Sequence, residues 1–346
     1  MKILYLAFTD LDVSINHIYI SGLKQNQVEI AAFSSKRPRW RKYWDMWKFY
    51  RQNRQGAQAI IVGYDSPELV VFMKLVSGKK IIYNALCSVY ERLIISRDLA
   101  GAWSIKAFYY WLSDFLACRF ADLVMLESVP QIEFFRKFVW LAKRKAFLAY
   151  TGVDERNYFF DPAVKKLEQF TVMFRGQFVP ESGAEVAVQA AKLLEGQGIN
   201  FIMHCFGSNF AKLENLIAEL KPANFKLVSE FLPFDVLRRQ MQECHLNLGQ
   251  LSVHDRLKRT IPHKAYESLA MKVPYLTARN PGIMSLLKEG ETCLAFEPAN
   301  ATELARQILW AKNHPEELAR IAENGYRLYE TELTSRHLAA KLLKAI

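Results

Sequence analysis

Lys264 and Glu267 stand three residues apart in a stretch, 262–271, whose apolar pattern predicts a helix, so they share one helix face. The loop before them carries Arg256, Lys258 and Arg259, and Pro262 falls where the helix opens. A helix N-terminus presents unpaired N–H groups and a partial positive charge, and basic residues on the preceding loop reinforce that field. Placed there, the ammonium of Lys264 could hold a diphosphate and the carboxylate of Glu267 could hold ribose hydroxyls. The same spacing also describes an ordinary surface ion pair, and the residues alone leave both readings open.

Other chemistries are excluded by what the chain lacks. The first strand-to-helix turn reads Ala7-Phe8-Thr9-Asp10-Leu11-Asp12, with no G-x-G-x-x-G, which argues against a dinucleotide-dependent dehydrogenase. There is no G-x-x-x-x-G-K-[ST], no G-x-S-x-G and no H-E-x-x-H anywhere. Asp10 and Asp12 read as a surface turn and not as a metal-binding pair. Five cysteines, at 87, 118, 205, 244 and 293, are widely spaced and form no C-x-x-C, so they predict buried, reduced thiols.

The elements that must position Lys264 and Glu267 follow from periodicity. Apolar strand runs at 2–8, 28–33, 59–62, 80–84, 123–126 and 145–149 alternate with helical stretches, including 67–77, capped by Ser66 and opened by Pro67, and longer or shorter pieces at 100–120 and 130–140. A second series has strands at 171–175, 201–206, 226–229, 246–249, 275–278 and 293–296. Its helices are expected at 183–196, 209–220, 234–243, 262–271, 281–288 and 301–313, and three further helical stretches close the chain. Such alternation means parallel sheets with helices on both faces. A chain of 346 residues is long enough for two domains of that kind. The predicted fold is therefore α/β, two Rossmann-like doubly wound parallel-sheet domains facing a cleft, residues 1–160 and 161–346, with the terminal helices free to pack back on the first domain. The periodicity breaks at 151–169, and ligands belong at the carboxyl ends of the strands.

The run 261–274, IPHKAYESLAMKVP, resembles the donor-site signature of family 4 (GT-B) retaining glycosyltransferases, whose pattern is I-P-N-K-x-x-E-x-L-A-x-G-x-P. Further resemblances lie in chain order: 121–124 (ADLV), 149–154 (AYTGVD), 174–183 (FRGQFVPESG), and 286–290 followed by 293–298. The resemblance implies transfer of a glycosyl group from a nucleotide-diphosphate sugar, with no other cofactor and no metal. It assigns the donor diphosphate to Lys264 and the nucleotide ribose to Glu267, with Arg175, Gly176, Gln177, Ser182, Gly183, Lys258 and Pro262 around them. The chain also departs from the family pattern. Arg259 stands where the first Glu of the E-x7-E element belongs, Gln177 and Ser182 replace the basic pair of the 176–183 loop, and Ser285 replaces a common Glu. Arg175, Lys258 or Arg259 then supplies the displaced positive charge, and Arg259 joins Lys264 and Glu267 as a candidate catalytic residue. An alternative is a catalytically weak homologue that binds a nucleotide sugar or glycan as an assembly subunit.

The first domain would hold the acceptor, a lipid-linked or cell-surface glycan. Residues 83–97 (YNALCSVYERLIISR) resemble the D-x-x-x-S-x-Y-D stretch of the same branch, which nominates Asn84, Ser88, Tyr90 and Glu91, with Asn16 and His17 after the first strand. Lys plus Arg exceed Asp plus Glu by 46 to 35, a net charge of +11 that favours an anionic partner. Residues 36–54 hold eight Lys or Arg against one Asp. Within them Trp40, Tyr43, Trp44, Trp47 and Tyr50 fall at helical spacing as one aromatic stripe flanked by Arg41 and Lys48. That pattern fits a helix lying on an anionic membrane surface, and equally a stripe packed on the sheet. Nucleic acid ranks below membrane, because no recognised nucleic-acid module accompanies the patch. The N-terminus reads as a strand and no run of 18 apolar residues occurs, so a cytoplasmic protein, peripheral at the inner membrane face, is expected.

Overall fold

The structure, a computed structural model, describes residues 1–206 and 210–346. The chain forms two compact units, the first from residues 1–154 and 333–346, the second from 155–332. Its division therefore falls a few residues before the expected one, and the last fourteen residues lie with the first unit.

In the first unit strands and helices alternate as β1 (Lys2–Ala7), α1 (Ser14–Gln25), β2 (Glu29–Ser34), α2 (Arg41–Asn53), β3 (Ala57–Val62), α3 (Pro67–Ser77), β4 (Lys80–Leu86), α4 (Ile105–Phe120), β5 (Leu123–Leu126), α5 (Val129–Phe138) and β6 (Ala146–Leu148). The six strands are parallel in the order β2-β1-β3-β4-β5-β6. Ile3 to Ala7 are all fully buried, as a central strand covered on both faces requires, which is why such strands read as unbroken apolar runs. Ser66 does not cap α3. Its hydroxyl accepts from the N–H of Phe8 (2.9 Å) and so ties the β1 and β3 loops together, while Pro67 starts the helix where a missing N–H costs nothing.

The second unit continues with β7 (Phe170–Gln177), α6 (Ala184–Leu193), β8 (Ile199–Phe206), α7 (Phe210–Leu220), β9 (Phe225–Val228), α8 (Phe234–Glu243), β10 (Leu246–Leu248), α9 (His263–Ala270), β11 (Tyr275–Ala278), α10 (Pro281–Met284), β12 (Leu294–Phe296), α11 (Ala301–Asn313) and α12 (Pro315–Leu328). Position 209, where the sequence places the start of α7, lies outside the described residues. The expected helix over 281–288 closes at Met284. The six parallel strands run β12-β11-β10-β7-β8-β9. The final helix, α13 (Ser335–Ala345), returns to the first unit and packs on α1. Gly22 permits this approach, since a Cβ there would lie 1.9 Å from the Ser335 carbonyl oxygen.

Each sheet reverses its strand order once, between β1 and β3 in the first and between β7 and β10 in the second. At such a reversal the flanking loops diverge to opposite faces and open a crevice at the carboxyl ends of the strands.

Candidate functional site

The crevice of the second sheet is walled by the end of β7 and the loop after β10, and α9 brings Lys264 and Glu267 to it. Gly176, near the end of β7, is what leaves room. A Cβ there would sit 3.0 Å from Lys264 Cε and 3.1 Å from Nζ. The Lys264 ammonium donates to Gln250 Oε1 (3.2 Å) and the Gly249 carbonyl (3.4 Å), and lies 4.1 Å from the centre of the Phe174 ring. These partners are neutral. Burial, helped by the nearby positive charge of Arg175, lowers the Lys264 pKa to about 7. An ammonium held without a counter-charge is a site poised for an anion.

Glu267, one turn further along α9, is buried and does not pair with Lys264. Its carboxylate pairs with the Arg175 guanidinium, which burial pushes below the usual arginine range. The surface ion pair that the i,i+3 spacing allowed is thus replaced by a pair between β7 and α9. Arg175 also lies 5.8 Å from the Tyr158 ring centre, and its Nε is buried without a hydrogen-bond partner.

The 178–183 loop is fastened to the loop after β10. The Leu251 N–H donates to the Ser182 carbonyl (3.0 Å), and the Ser252 hydroxyl to the Glu181 carbonyl (3.0 Å). Gly183 has φ +63° and a Cβ on it would meet the Ser252 nitrogen at 2.7 Å, so conformation and space both require glycine. Ser182 is buried with its hydroxyl unpartnered, whereas Gln177 is exposed. The basic loop before α9 is internally neutralised in part. Asp255 pairs with Lys258 (3.0 Å) and Arg259 (2.5 Å), and hydrogen bonding to Arg259 holds the Asp255 carboxyl below its usual range. Pro262 supplies the last extended residue before α9. Gln250 and the Gly249 carbonyl were not singled out by the sequence; their signal is their place just beyond a strand end at an order reversal.

The nominated acceptor residues are placed differently. Asn16 is fully buried and plugs the reversal of the first sheet, its Oδ1 accepting from the Tyr5 hydroxyl (3.0 Å) and the Tyr64 N–H (2.9 Å). Asn84 donates to the Tyr5 hydroxyl (3.3 Å) and Ser88 to Asp114 (2.6 Å), while Glu91 accepts from Gln131 (2.8 Å), all within the interior. Tyr90 packs on Phe138, and His17 stands 3.9 Å from Asp154. These side chains secure the loops after β1 and β4 and offer little polar surface themselves.

The aromatic stripe of α2 divides in two. Tyr50 and Met46 are buried and Tyr43 packs on Phe8 and Phe72, so this row faces the sheet. Trp40 (67% exposed), Trp44 (54% exposed) and Trp47 form a second row, with Trp44 stacked on Trp47 and Arg51 5.2 Å from the Trp47 ring. Arg41 and Lys48 are exposed beside it. The stripe thus packs on the sheet along one row and leaves Trp40 and Trp44 exposed along the adjacent one. Among the described residues no helix is long and apolar enough to cross a membrane, and no cluster of three or more His, Cys, Asp or Glu is arranged to hold a metal. All five cysteines are buried and none forms a disulfide.

Two six-stranded parallel sheets, each flanked by helices, make up the GT-B fold. The chain belongs to the family of glycosyl transferases group 1, whose match covers residues 155–328. Its fold is similar to Anabaena Alr3699/HepE in complex with UDP (16% identity, 99% of each chain, TM-score 0.74). It is also similar to sucrose-phosphate synthase from Thermosynechococcus elongatus (12% identity, 99% of this chain and 98% of that one, TM-score 0.75). A glycosyltransferase from Rickettsia africae ESF-5 is similar as well (13% identity, 99% and 97%, TM-score 0.68). No curated protein sequence matches the chain.

Proposed function

We propose that this protein is a retaining hexosyltransferase of family 4 that moves a sugar from a uridine-diphosphate sugar to a lipid-linked or cell-surface glycan, working in polysaccharide biosynthesis at the cytoplasmic face of an anionic membrane. The observation that carries the donor reading is Lys264, a half-buried ammonium with neutral partners at the carboxyl end of β7 and in the first turn of α9. Anabaena Alr3699/HepE, of similar fold, is known in complex with UDP and with UDP-glucose, which supports uridine as the base.

In transfer, the bond from the anomeric carbon to the diphosphate oxygen breaks, and negative charge grows on the departing phosphate as the sugar takes on oxocarbenium character. Lys264 and the first N–H groups of α9 stabilise that charge, with no metal required in this reading. Glu267 accepts hydrogen bonds from the ribose hydroxyls. Its pairing with Arg175 neutralises it, so the carboxylate does not repel the diphosphate beside it. Arg259, tethered to Asp255, contributes positive charge from the preceding loop, and Gly183 and Ser182 shape the backbone wall. The row of exposed Trp40 and Trp44 and half-buried Trp47, with its basic neighbours, seats the first unit at the lipid headgroups.

A thermal-shift panel of UDP, GDP, ADP and their common sugars, with and without divalent metal, tests the donor reading. A ligand that binds only the folded state raises Tm by mass action. UDP and a UDP-sugar are expected to raise Tm without metal; no shift with any nucleotide would sink the proposal. Binding of the sugar nucleotide without turnover on any glycan acceptor would instead favour a non-catalytic subunit, a reading that the Arg259 replacement keeps in play.

A further inference from the structure

The sheet of the second unit has another hollow at the opposite ends of its strands. Phe170 opens β7, His245 precedes β10 and Pro274 precedes β11, and with Phe160, Met271 and Leu318 they surround a cavity of about 300 Å³. That volume is at the small end of the range for small-molecule sites. Its lining contains three lysines and no Asp or Glu.

One wall of this cavity is rich in hydrogen-bond donors. Gln242 lines it and is only 3% exposed. Its Oε1 accepts from the Asp161 N–H (2.8 Å), which fixes the amide orientation, and its Nε2 is buried with no acceptor. An unpaired buried donor in a native protein calls for a reason. His245 Nδ1 accepts from the Thr171 N–H (3.1 Å), so the neutral ring, which burial favours, carries its proton on Nε2. The Lys166 ammonium gives two protons to the carbonyls of Gln242 (2.8 Å) and Cys244 (2.6 Å) and retains a third. Lys272 and Lys312 are engaged, with Glu323 and with the Gln197 carbonyl respectively.

We propose that this cavity is a binding site for a compact monoanionic amphiphile, a carboxylate on an apolar body, with the carboxylate received by Lys166, Gln242 and His245 and the body lying against Phe160 and Leu318. The argument is one of complementarity. Three donors with no acidic neighbour in the lining select an anion, and the apolar remainder selects a hydrocarbon or aromatic tail over a free inorganic ion. The site is separate from the nucleotide crevice, being at the amino ends of the same strands.

Titration calorimetry of the full chain with octanoate tests this, with acetate, n-octanol and octylammonium as comparison ligands. Octanoate is expected to bind saturably at one equivalent, and each comparison ligand at least tenfold more weakly. Ala319→Trp, at an exposed position of α12 on the rim, fills the mouth with little risk to the fold. Lys166→Met removes the cation. Each is expected to weaken octanoate at least tenfold with an unchanged circular-dichroism spectrum. Absence of saturable octanoate binding, equal binding of n-octanol, or undiminished binding by a folded Ala319→Trp variant would each overturn the proposal.

Discussion

A half-buried lysine whose ammonium meets only neutral oxygens and an aromatic ring is costly to the folded state, and the cost makes two predictions at Lys264. Its pKa falls from the ordinary lysine range to about 7 on folding, so between about pH 7 and 10 the unfolded chain binds the extra proton and stability rises with pH. Lys264→Met is therefore expected to raise Tm by a few degrees at pH 7, about 1 kcal/mol, with the advantage over wild type shrinking as pH climbs towards 10. The same variant should lose the UDP-induced shift. An anion beside Lys264 restores its proton, so UDP binding at pH 8 takes up a proton and weakens by up to about tenfold per pH unit above 7. Calorimetry in buffers of different ionisation enthalpy measures that uptake directly; a Lys264→Met variant that is no more stable, together with pH-independent UDP affinity, would contradict the assignment. Glu267 carries the opposite expectation. Glu267→Ala strands the Arg175 guanidinium and is expected to destabilise by roughly 2–4 kcal/mol, while Arg175→Met combined with Glu267→Ala should cost less than the two singly summed. Urea denaturation of the four proteins closes that cycle.

Elements were legible in the sequence where burial leaves a pattern, and illegible where it depends on which way a polar side chain points. The strands of both sheets are unbroken apolar runs because helices cover both faces, so 3–7 and 172–174 announce themselves. Residues 264 and 267 were placed on one helix face correctly, but their partners, Gln250 and Arg175, come from other strands, and nothing in a local spacing records that. Asn84 lies near the end of β4, and Asn16, Ser88 and Glu91 follow strand ends, where ligands gather, yet all four turn inward to fasten their own loops. Helix α2 shows the same limit. Positions 40, 44 and 47 and positions 43, 46 and 50 are adjacent rows on one helix, and only the sheet beneath decides which row is covered. That division sharpens a prediction for the element. Trp40→Ser/Trp44→Ser/Trp47→Ser removes two exposed rings and one half-buried one, none of them from the core, so stability should change by only about 1 kcal/mol. Its co-flotation with anionic vesicles should fall several-fold, and co-flotation equal to wild type would remove α2 from the membrane reading.

At the scale of the molecule, the chain leaves its first unit at residue 154 and comes back at 333, so the first unit is closed by the end of the sequence. Two of the closing contacts demand glycine and a third is a hydrogen bond. Gly22 of α1 lies against the Ser335 carbonyl, Gly152 (φ +70°) would place a Cβ 2.8 Å from Leu338, and Lys80 donates to the terminal carbonyl of Ile346 (2.9 Å). Gly22→Val wedges α13 from α1 at a site where backbone must move, and Gly152→Val adds strain from its positive φ. Each is expected to destabilise the first unit by roughly 2–4 kcal/mol. Nucleotide binding reads the other unit, whose crevice is made of residues 174–183, 249–252 and 264–267. In Gly22→Val the lower calorimetric transition should therefore move down while UDP continues to raise the upper one, because mass action protects only the unit that holds the ligand. If UDP raised both transitions by the same amount in wild type and in Gly22→Val, the two units would be melting as one, and the nucleotide would be stabilising the whole chain.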